Sequence, residues 1–359
     1  CLVIYGAAEE YVPPLDLGGC FSDRDIAAAL LQHSTGRLLY LTDVDRFGLW
    51  SAQRQEWEFA LGLSPDAAGR VLVHQELAYA LRGDFTADKG SEDRARADNR
   101  ISLSNSKGAG SAVTYLLAQV REPSFPGRLR YSSLDTEPDT LWAGGTPWDL
   151  TASIGRLVRA DLDPRTPHYR TAPFTPDLRP TPLWDRFFSA AIPDATQREW
   201  AYTLLGGTLL GRGAKVLLVL QGVRDSGKTQ ILTLVSSLLG TEDQGYATAA
   251  SRKLLMDDNE HDAILMQLSG RRLAWVDEGL RYGKASLERL KALTGGGYQT
   301  GRWMRSNPVT FKPTHTMAVT TNEMPEVVDE ALRSRVRLLQ LDNDLAEVHA
   351  ARAAIGDLS

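Results

Sequence analysis

Lys228 and Thr229 close the octapeptide Gly222-Val-Arg-Asp225-Ser226-Gly227-Lys228-Thr229, a complete match to G-x-x-x-x-G-K-[ST]. Its chemistry is phosphate binding. Glycines let the backbone wind so that successive N–H groups, those of Asp225, Ser226 and Gly227 among them, face phosphate oxygens, and a following helix adds the positive end of its dipole. The lysine supplies charge to the outer phosphates and the threonine offers a hydroxyl to Mg²⁺. Downstream, Asp277-Glu278 ends the apolar run Arg272-Leu-Ala-Trp-Val276. An aspartate there can hold Mg²⁺, and a glutamate can orient and deprotonate an attacking water. Two adjacent acids favour hydrolysis of ATP over transfer to another acceptor.

Two further signals follow. The β-rich run from Thr314 to Thr321 ends at Asn322, an amide placed to position a water against a γ-phosphate. Arg333, Arg335 and Arg337 precede the apolar segment from Leu338 to Leu341, where an arginine could stabilise transition-state charge in a neighbouring subunit. A solvated basic helix end is the simpler reading of Arg333 and Arg337. Between these motifs, no Asp or Glu occurs from Arg289 to Asn322, while Lys291, Arg302, Arg305 and Lys312 join Tyr298, Trp303 and Phe311. Glycines 295–297 and 301 mark turns, so the segment from Tyr298 to Phe311 is expected to be a hairpin presenting Arg302, Trp303 and Arg305. Basic and aromatic side chains together suit backbone tracking and base stacking on single-stranded DNA; the alternative is a hairpin facing solvent or a neighbouring subunit.

The elements that must position these groups are legible from periodicity. Val216 to Leu220 is a continuous apolar run that predicts a buried strand entering the phosphate loop, and Gln230 to Leu239, stopped by Gly240, predicts the helix leaving it. Helices are expected over 183–192 and 196–210. Earlier, short strands are expected over 37–42, 47–50 and 56–61. A helix is expected over 65–81 with Ser64 as N-cap and Pro65 in its first turn, and another over 111–120. The stretch 141–151 reads as a turn-rich loop. Prolines 164, 167, 173, 176, 180 and 182 crowd a segment that can hold neither a helix nor a central strand, which predicts a linker or surface connector. These signals give an organisation of 1–160 as an N-terminal domain, 161–182 as a proline-rich linker and 183–359 as an ATPase domain. The expected fold class is α/β, a P-loop ATPase domain with a parallel central sheet preceded by a smaller mixed α+β domain.

The 359 residues amount to about two domains. A 43% hydrophobic fraction with 17 prolines excludes a disordered, collagenous or coiled-coil chain. Two cysteines are too few for a disulfide scaffold and fit a reducing cytoplasm. No apolar run approaches the roughly 20 residues of a membrane helix, and no signal-peptide pattern opens the chain, so no membrane partner and a cytoplasmic location are expected. A net charge of -5 argues against nucleic acid on average, yet averages away the acid-free stretch.

Together these residues resemble the superfamily 3 helicases, an AAA+ class of small DNA viruses, phages and plasmids, and within it the phage/plasmid primase-helicase family related to the poxvirus NTPase-primase. The resemblance rests on the ordered set VLLVLQGVRDSGKT, WVDE, Lys291-Ala-Leu-Thr294-Gly295-Gly296, the basic hairpin, Phe311-Lys-Pro313, Thr321-Asn322-Glu-Met-Pro325 and a terminal arginine. It covers about half the chain, from Leu183 to Asp342. It implies ATP and Mg²⁺ as ligands, Asn322 as sensor, Arg335 as a finger acting across a subunit interface, and a hexameric ring with hairpin residues in its pore. Two departures stand out: Gly297 replaces the family's usual Asp, and the usual tandem arginine is Ser334-Arg335, so Arg333 and Arg335 compete for the finger role. The looser N-terminal half matches a helicase-associated domain through Trp50, Trp57 and the loop from Gly145 to Leu150.

One further pattern, Asp43-Val-Asp45 with His74, could be read as a primase metal site; Asp is also the ordinary residue of a turn between strands, and no other acidic cluster or zinc ligand supports the metal. A primase domain, on this chain or a partner, is an expected associate. The function expected is an ATP-dependent DNA helicase of phage- or plasmid-type replication acting on single-stranded or forked DNA. The alternatives are an ATP-regulated DNA-binding initiator or loader, and a small-molecule kinase.

Overall fold

The computed structural model describes residues 22–51, 56–59, 61, 63–64, 66–71, 106–151, 158–163, 165–213, 215–256, 262–278, 286–303, 307–323 and 329–355. The chain divides into two compact units, Cys1–Ser133 and Leu134–Ser359.

In the first unit, α1 (Asp23–His33) starts at a capping box in which Ser22 and Asp25 satisfy each other's backbone N–H groups. The strands β1 (Leu38–Leu41), β2 (Arg46–Ser51) and β3 (Glu56–Phe59) form antiparallel neighbours. After α2 (Ser106–Arg121), the short β4 (Arg128–Leu129) pairs parallel to β1, giving the order β3-β2-β1-β4. Ile26 and Leu30 from α1 meet Val113 and Leu116 from α2 over Leu38, Tyr40 and Phe47. The facing pair Trp50 and Trp57 packs edge to face at 5.6 Å. Residues 66–71 are helical and the Ala67 N–H is bonded to Ser64 Oγ, as expected for the start of that helix; its continuation and His74 lie outside the described residues.

The second unit opens with β5 (Thr140–Ala143), β6 (Thr146–Asp149) and β7 (Val158–Arg159), an antiparallel set. The stretch expected to be a turn-rich loop is therefore largely a hairpin. Gly144 and Gly145, both at positive φ, turn the chain between Trp142 and Trp148, whose burial makes strands of the flanking residues. The proline-rich segment forms no helix or central strand, yet it is no free linker: Tyr169, Arg170 and Ala172 are buried, Ala172 bridges Ala143, and Ala172 belongs to the core of the second unit.

Next come α3 (Pro182–Ala191) and α4 (Ala195–Gly207), whose Asp194 caps the Gln197 N–H. Then β8 (Leu217–Gly222), α5 (Lys228–Leu239), β9 (Ala247–Ala249), a 3-10 turn (Arg252–Leu255), α6 (Asp262–Met266), β10 (Leu273–Val276) and α7 (Leu287–Leu293) follow. They lead to β11 (Gln299–Gly301), β12 (Val309–Phe311), β13 (Thr316–Thr321), α8 (Glu330–Arg333), β14 (Val336–Leu341) and α9 (Leu345–Ile355). Five of these strands make one parallel sheet in the order β14-β8-β13-β10-β9. Strands β10 and β13 are buried along their whole length, and β8 along its first four residues, the signature of a sheet covered on both faces. Phe187, Phe188, Ile231, Leu232 and Trp275 pack with Leu218 and Leu220 in one core. The order sets β13 between β8 and β10, so the residues at the carboxyl ends of these three strands are neighbours. Among the described residues no helix is long and apolar enough to cross a membrane.

Candidate functional site

At the carboxyl end of β8 the chain turns through the 222–229 loop. Gly222 has no room for a side chain: a Cβ there would lie 2.6 Å from Ser226 Oγ and 2.9 Å from the Leu341 carbonyl. Asp225 and Gly227 take positive φ, 64° and 95°, and Gly227 caps α5. These two left-handed residues wind the loop so that α5 begins directly at Lys228. Ser226 is fully buried, and its carbonyl accepts from Asn343 Nδ2 at 2.9 Å, which ties the loop to the residues after β14.

Lys228 is nearly buried, and its ammonium donates to the carbonyls of Gly222 and Val223, both at 2.6 Å, and to Asn322 Oδ1 at 3.1 Å. Desolvation pushes its pKa below the ordinary lysine value, opposed by the charges of Asp277, Glu278 and Asp225. The opposing acids mark the place where positive charge is wanted. Thr229 Oγ1 donates to Asp277 Oδ1 at 3.1 Å, and Thr320 Oγ1 donates to the same oxygen at 2.5 Å. Thr320 also accepts the Glu278 N–H at 2.8 Å. Glu278 itself sits at φ 48°, a left-handed conformation that costs a non-glycine residue about 1 kcal/mol or more. Its carboxylate meets Arg252 Nη2 at 3.2 Å, while Arg252 Nε donates to the Asp277 carbonyl.

Thus Lys228, Thr229, Asp277, Glu278 and Asn322, spread over nearly a hundred positions of sequence, converge where β8, β10 and β13 end. A hydroxyl and a carboxylate oxygen side by side, Thr229 and Asp277, are the hard oxygen donors that suit Mg²⁺, which is held by one or two protein ligands and substrate phosphates. Three residues of this cluster carry no clear signal in the sequence. Thr320 is visible only as part of a β-rich run, Asn343 as a polar residue after a strand, and Arg252 as one cation in an irregular segment.

The other predicted residues lie apart from this cluster. Arg335 Nη1 donates to the Lys291 carbonyl at 2.7 Å and to Thr294 Oγ1 at 3.1 Å, so it braces the end of α7 within its own chain. Arg333 is exposed at the end of α8. Lys291 stands on α7 and pairs with Asp329 at 2.9 Å, an interaction that holds the Asp329 carboxyl below the usual carboxylate range. Strands β11 and β12 are antiparallel, as the expected hairpin requires. Arg302 and Lys312 are exposed beside it, Trp303 is half-buried, and Arg305 lies outside the described residues. Tyr298, 76% exposed, leads into β11.

The pair Asp43 and Asp45 has a structural explanation. Asp43 accepts the Tyr131 and Ser132 N–H groups at 2.6 and 3.2 Å, and Asp45 holds Arg121 at 2.9 Å and accepts from Tyr40. Among the described residues, no group of three His, Cys, Asp or Glu side chains could hold a metal ion.

No family model matches the chain. It is similar to a protein of African swine fever virus named as a candidate primase, with the same figures in three isolates: 27% identity over 214 residues, 56% of this chain and 22% of the viral protein. The chain therefore spans about a fifth of the length of these relatives. Among solved structures, the C-terminal region of NrS-1 superposes with TM-scores of 0.50 and 0.52 at 12% and 11% identity. These matches cover 90% and 92% of this chain and 63% and 66% of the other. At such identity the likeness shows a shared fold.

Proposed function

We propose that this chain is an ATP-dependent motor of DNA replication, a helicase of the superfamily 3, AAA+ type that separates strands while hydrolysing ATP. The observation that carries it is the convergence of Lys228, Thr229, Asp277, Glu278 and Asn322 at one end of the parallel sheet, with Lys228 bonded to Asn322 and Thr229 to Asp277. The likeness to a viral protein named as a candidate primase supports a replication role.

In this reading the 222–229 loop and the start of α5 bind the phosphates of ATP, with Lys228 on the outer ones. Thr229 and Asp277 would hold Mg²⁺, which when bound would neutralise charge on the phosphates. Glu278 accepts a proton from the water as its oxygen bonds to the γ-phosphorus, and the bond to the ADP oxygen breaks with its electron pair leaving on ADP. Asn322, fixed against Lys228, orients the γ-phosphate end of the site. Arg335 or Arg333 completes a neighbouring subunit's site in a hexameric ring. Arg302, Trp303, Arg305 and Lys312 face single-stranded or forked DNA, where a ring would gather six hairpins into one channel.

A forked-duplex unwinding assay tests this, with hydrolysis measured in parallel. Strand separation that needs ATP and is abolished in Lys228→Ala and Glu278→Gln is expected. Hydrolysis and assembly without strand separation would replace the motor with a loader or initiator.

A further inference from the structure

Asn343 lies two residues beyond Leu341, where β14 pairs with β8 beside Gly222, and just before Asp344, whose carboxylate accepts the Ala346 N–H at 2.8 Å in the first turn of α9. Its position is therefore set from both sides. Nδ2 donates to the Ala191 carbonyl at 2.7 Å and to the Ser226 carbonyl at 2.9 Å. Facing two acceptors, the amide can present only its nitrogen, and Oδ1 is buried with no donor among the described residues. An orphaned acceptor costs stability, so what Asn343 contributes lies in its two N–H bonds.

One of those bonds ends on the phosphate loop, at a carbonyl that α5 does not use. The helix takes up the Gly227 carbonyl, which accepts the Ile231 N–H at 3.0 Å, and the Ser226 carbonyl stays outside it. The Ser226–Gly227 peptide is trans, so its C=O and N–H point in opposite directions. Holding the carbonyl toward Asn343 and the end of α3 turns the Gly227 N–H toward the other side of the loop. Gly227 supplies the φ of 95° that follows, and α3 backs it closely: a Cβ there would lie 3.4 Å from both Ala191 and Phe187.

We propose that Asn343 is a positioning residue that fixes the Ser226–Gly227 peptide, so that the Gly227 N–H faces the phosphates before a nucleotide arrives. An N–H aimed in advance costs no reordering of the loop on binding. The inference rests on the ATPase reading above and adds to its phosphate loop a residue 117 positions away from Ser226.

The test measures Kd for ATP and ADP, and kcat and KM for ATP hydrolysis, at about pH 8, where an aspartate is ionised. It uses the full chain, Asn343→Asp, which keeps the shape and loses the donors, and Asn343→Leu, which also removes the orphaned oxygen. Both variants should bind ATP and ADP about 10-fold more weakly, the scale of one hydrogen bond to a charged group, with KM raised to match and kcat at saturating ATP within about 2-fold of the parent. That split marks lost binding that ground and transition states share. A damaged fold would lower kcat instead, by removing active molecules. Affinities unchanged in either variant, a kcat that falls with KM unchanged, or a loss seen for ATP and not for ADP overturns the proposal. A parent chain that binds neither nucleotide overturns the ATPase reading and this proposal together, whereas a parent that binds both beside unaffected variants overturns the proposal alone.

Discussion

Asp43 with Asp45 and Asp277 with Glu278 are pairs of acids that follow strands, and they have different employment. Asp43 and Asp45 follow β1 in an antiparallel hairpin, where each carboxylate is consumed by nearby donors: backbone N–H groups of Tyr131 and Ser132 for one, Arg121 and Tyr40 for the other. Asp277 and Glu278 follow β10 in a parallel sheet, whose topology sets the ends of three strands side by side. There the donors include a threonine at the start of α5, a threonine of β13 and Arg252, and a buried cation beside them is Lys228. A pair of carboxylates becomes a candidate for chemistry through what the sheet places beside it.

The contrast is sharpest in rates. Glu278→Gln should lower kcat for ATP hydrolysis at least about 100-fold with ATP binding retained, the scale of losing a general base. Lys228→Ala should remove hydrolysis and weaken ATP binding as well. Asp43→Ala should leave kcat untouched and instead cost the first unit about 1–3 kcal/mol, because two backbone N–H groups lose their acceptor. Hydrogen exchange at β1 measures that loss. A fall in kcat with Asp43→Ala would erase the distinction between the pairs.

Acid acts on the second unit through buried histidines. His315 is fully buried just before β13, and burial pushes its pKa down to about 4 from the ordinary 6.5. The unfolded chain takes a proton at this residue below about pH 6.5, whereas the folded chain takes none until about pH 4, so acidification in that window favours unfolding. Each unit of pH there weakens the fold by about 1.4 kcal/mol, or about 2 kcal/mol between pH 7 and pH 5. His168, stacked on Trp142 at 3.7 Å and lowered by burial, acts in the same direction. Chemical unfolding at both pH values should show that His315→Leu loses much less stability on acidification than the parent chain. An equal loss would move the acid sensitivity to His168 or to the carboxylates.

Much of the second unit's sheet is legible in the sequence because its signals are local. VLLVL, LAWV and the run ending in Asn322 each announce a buried strand, and each chemical residue stands at a strand's end. The hairpin around Gly144 and Gly145 is hidden because its two glycines and a proline look like a loop, and only burial of Trp142 and Trp148 decides otherwise. The proline segment misleads for a related reason: proline forbids regular structure but not packing. Arg252 and Thr320 are illegible, since their roles are set by partners 26 and 43 positions away.

The smallest effect concerns the basic residues near the hairpin, where charge alone gives Lys291 and Arg302 the same expected role. The fold separates them. Lys291 lies on α7 and is occupied by Asp329, a pair with side chains 33% and 26% exposed, while Arg302 is exposed at the end of β11. Lys291→Ala should therefore cost the fold about 0.2–1 kcal/mol and lose part of that cost in high salt, with the affinity for single-stranded DNA unchanged. Arg302→Ala should weaken that affinity and reduce the slope of log affinity against log salt by about 0.7 for each phosphate it no longer neutralises. Binding isotherms at several salt concentrations for the two variants read both effects. A salt slope that changes in Lys291→Ala would place the lysine on DNA and make its bond to Asp329 one that DNA must displace.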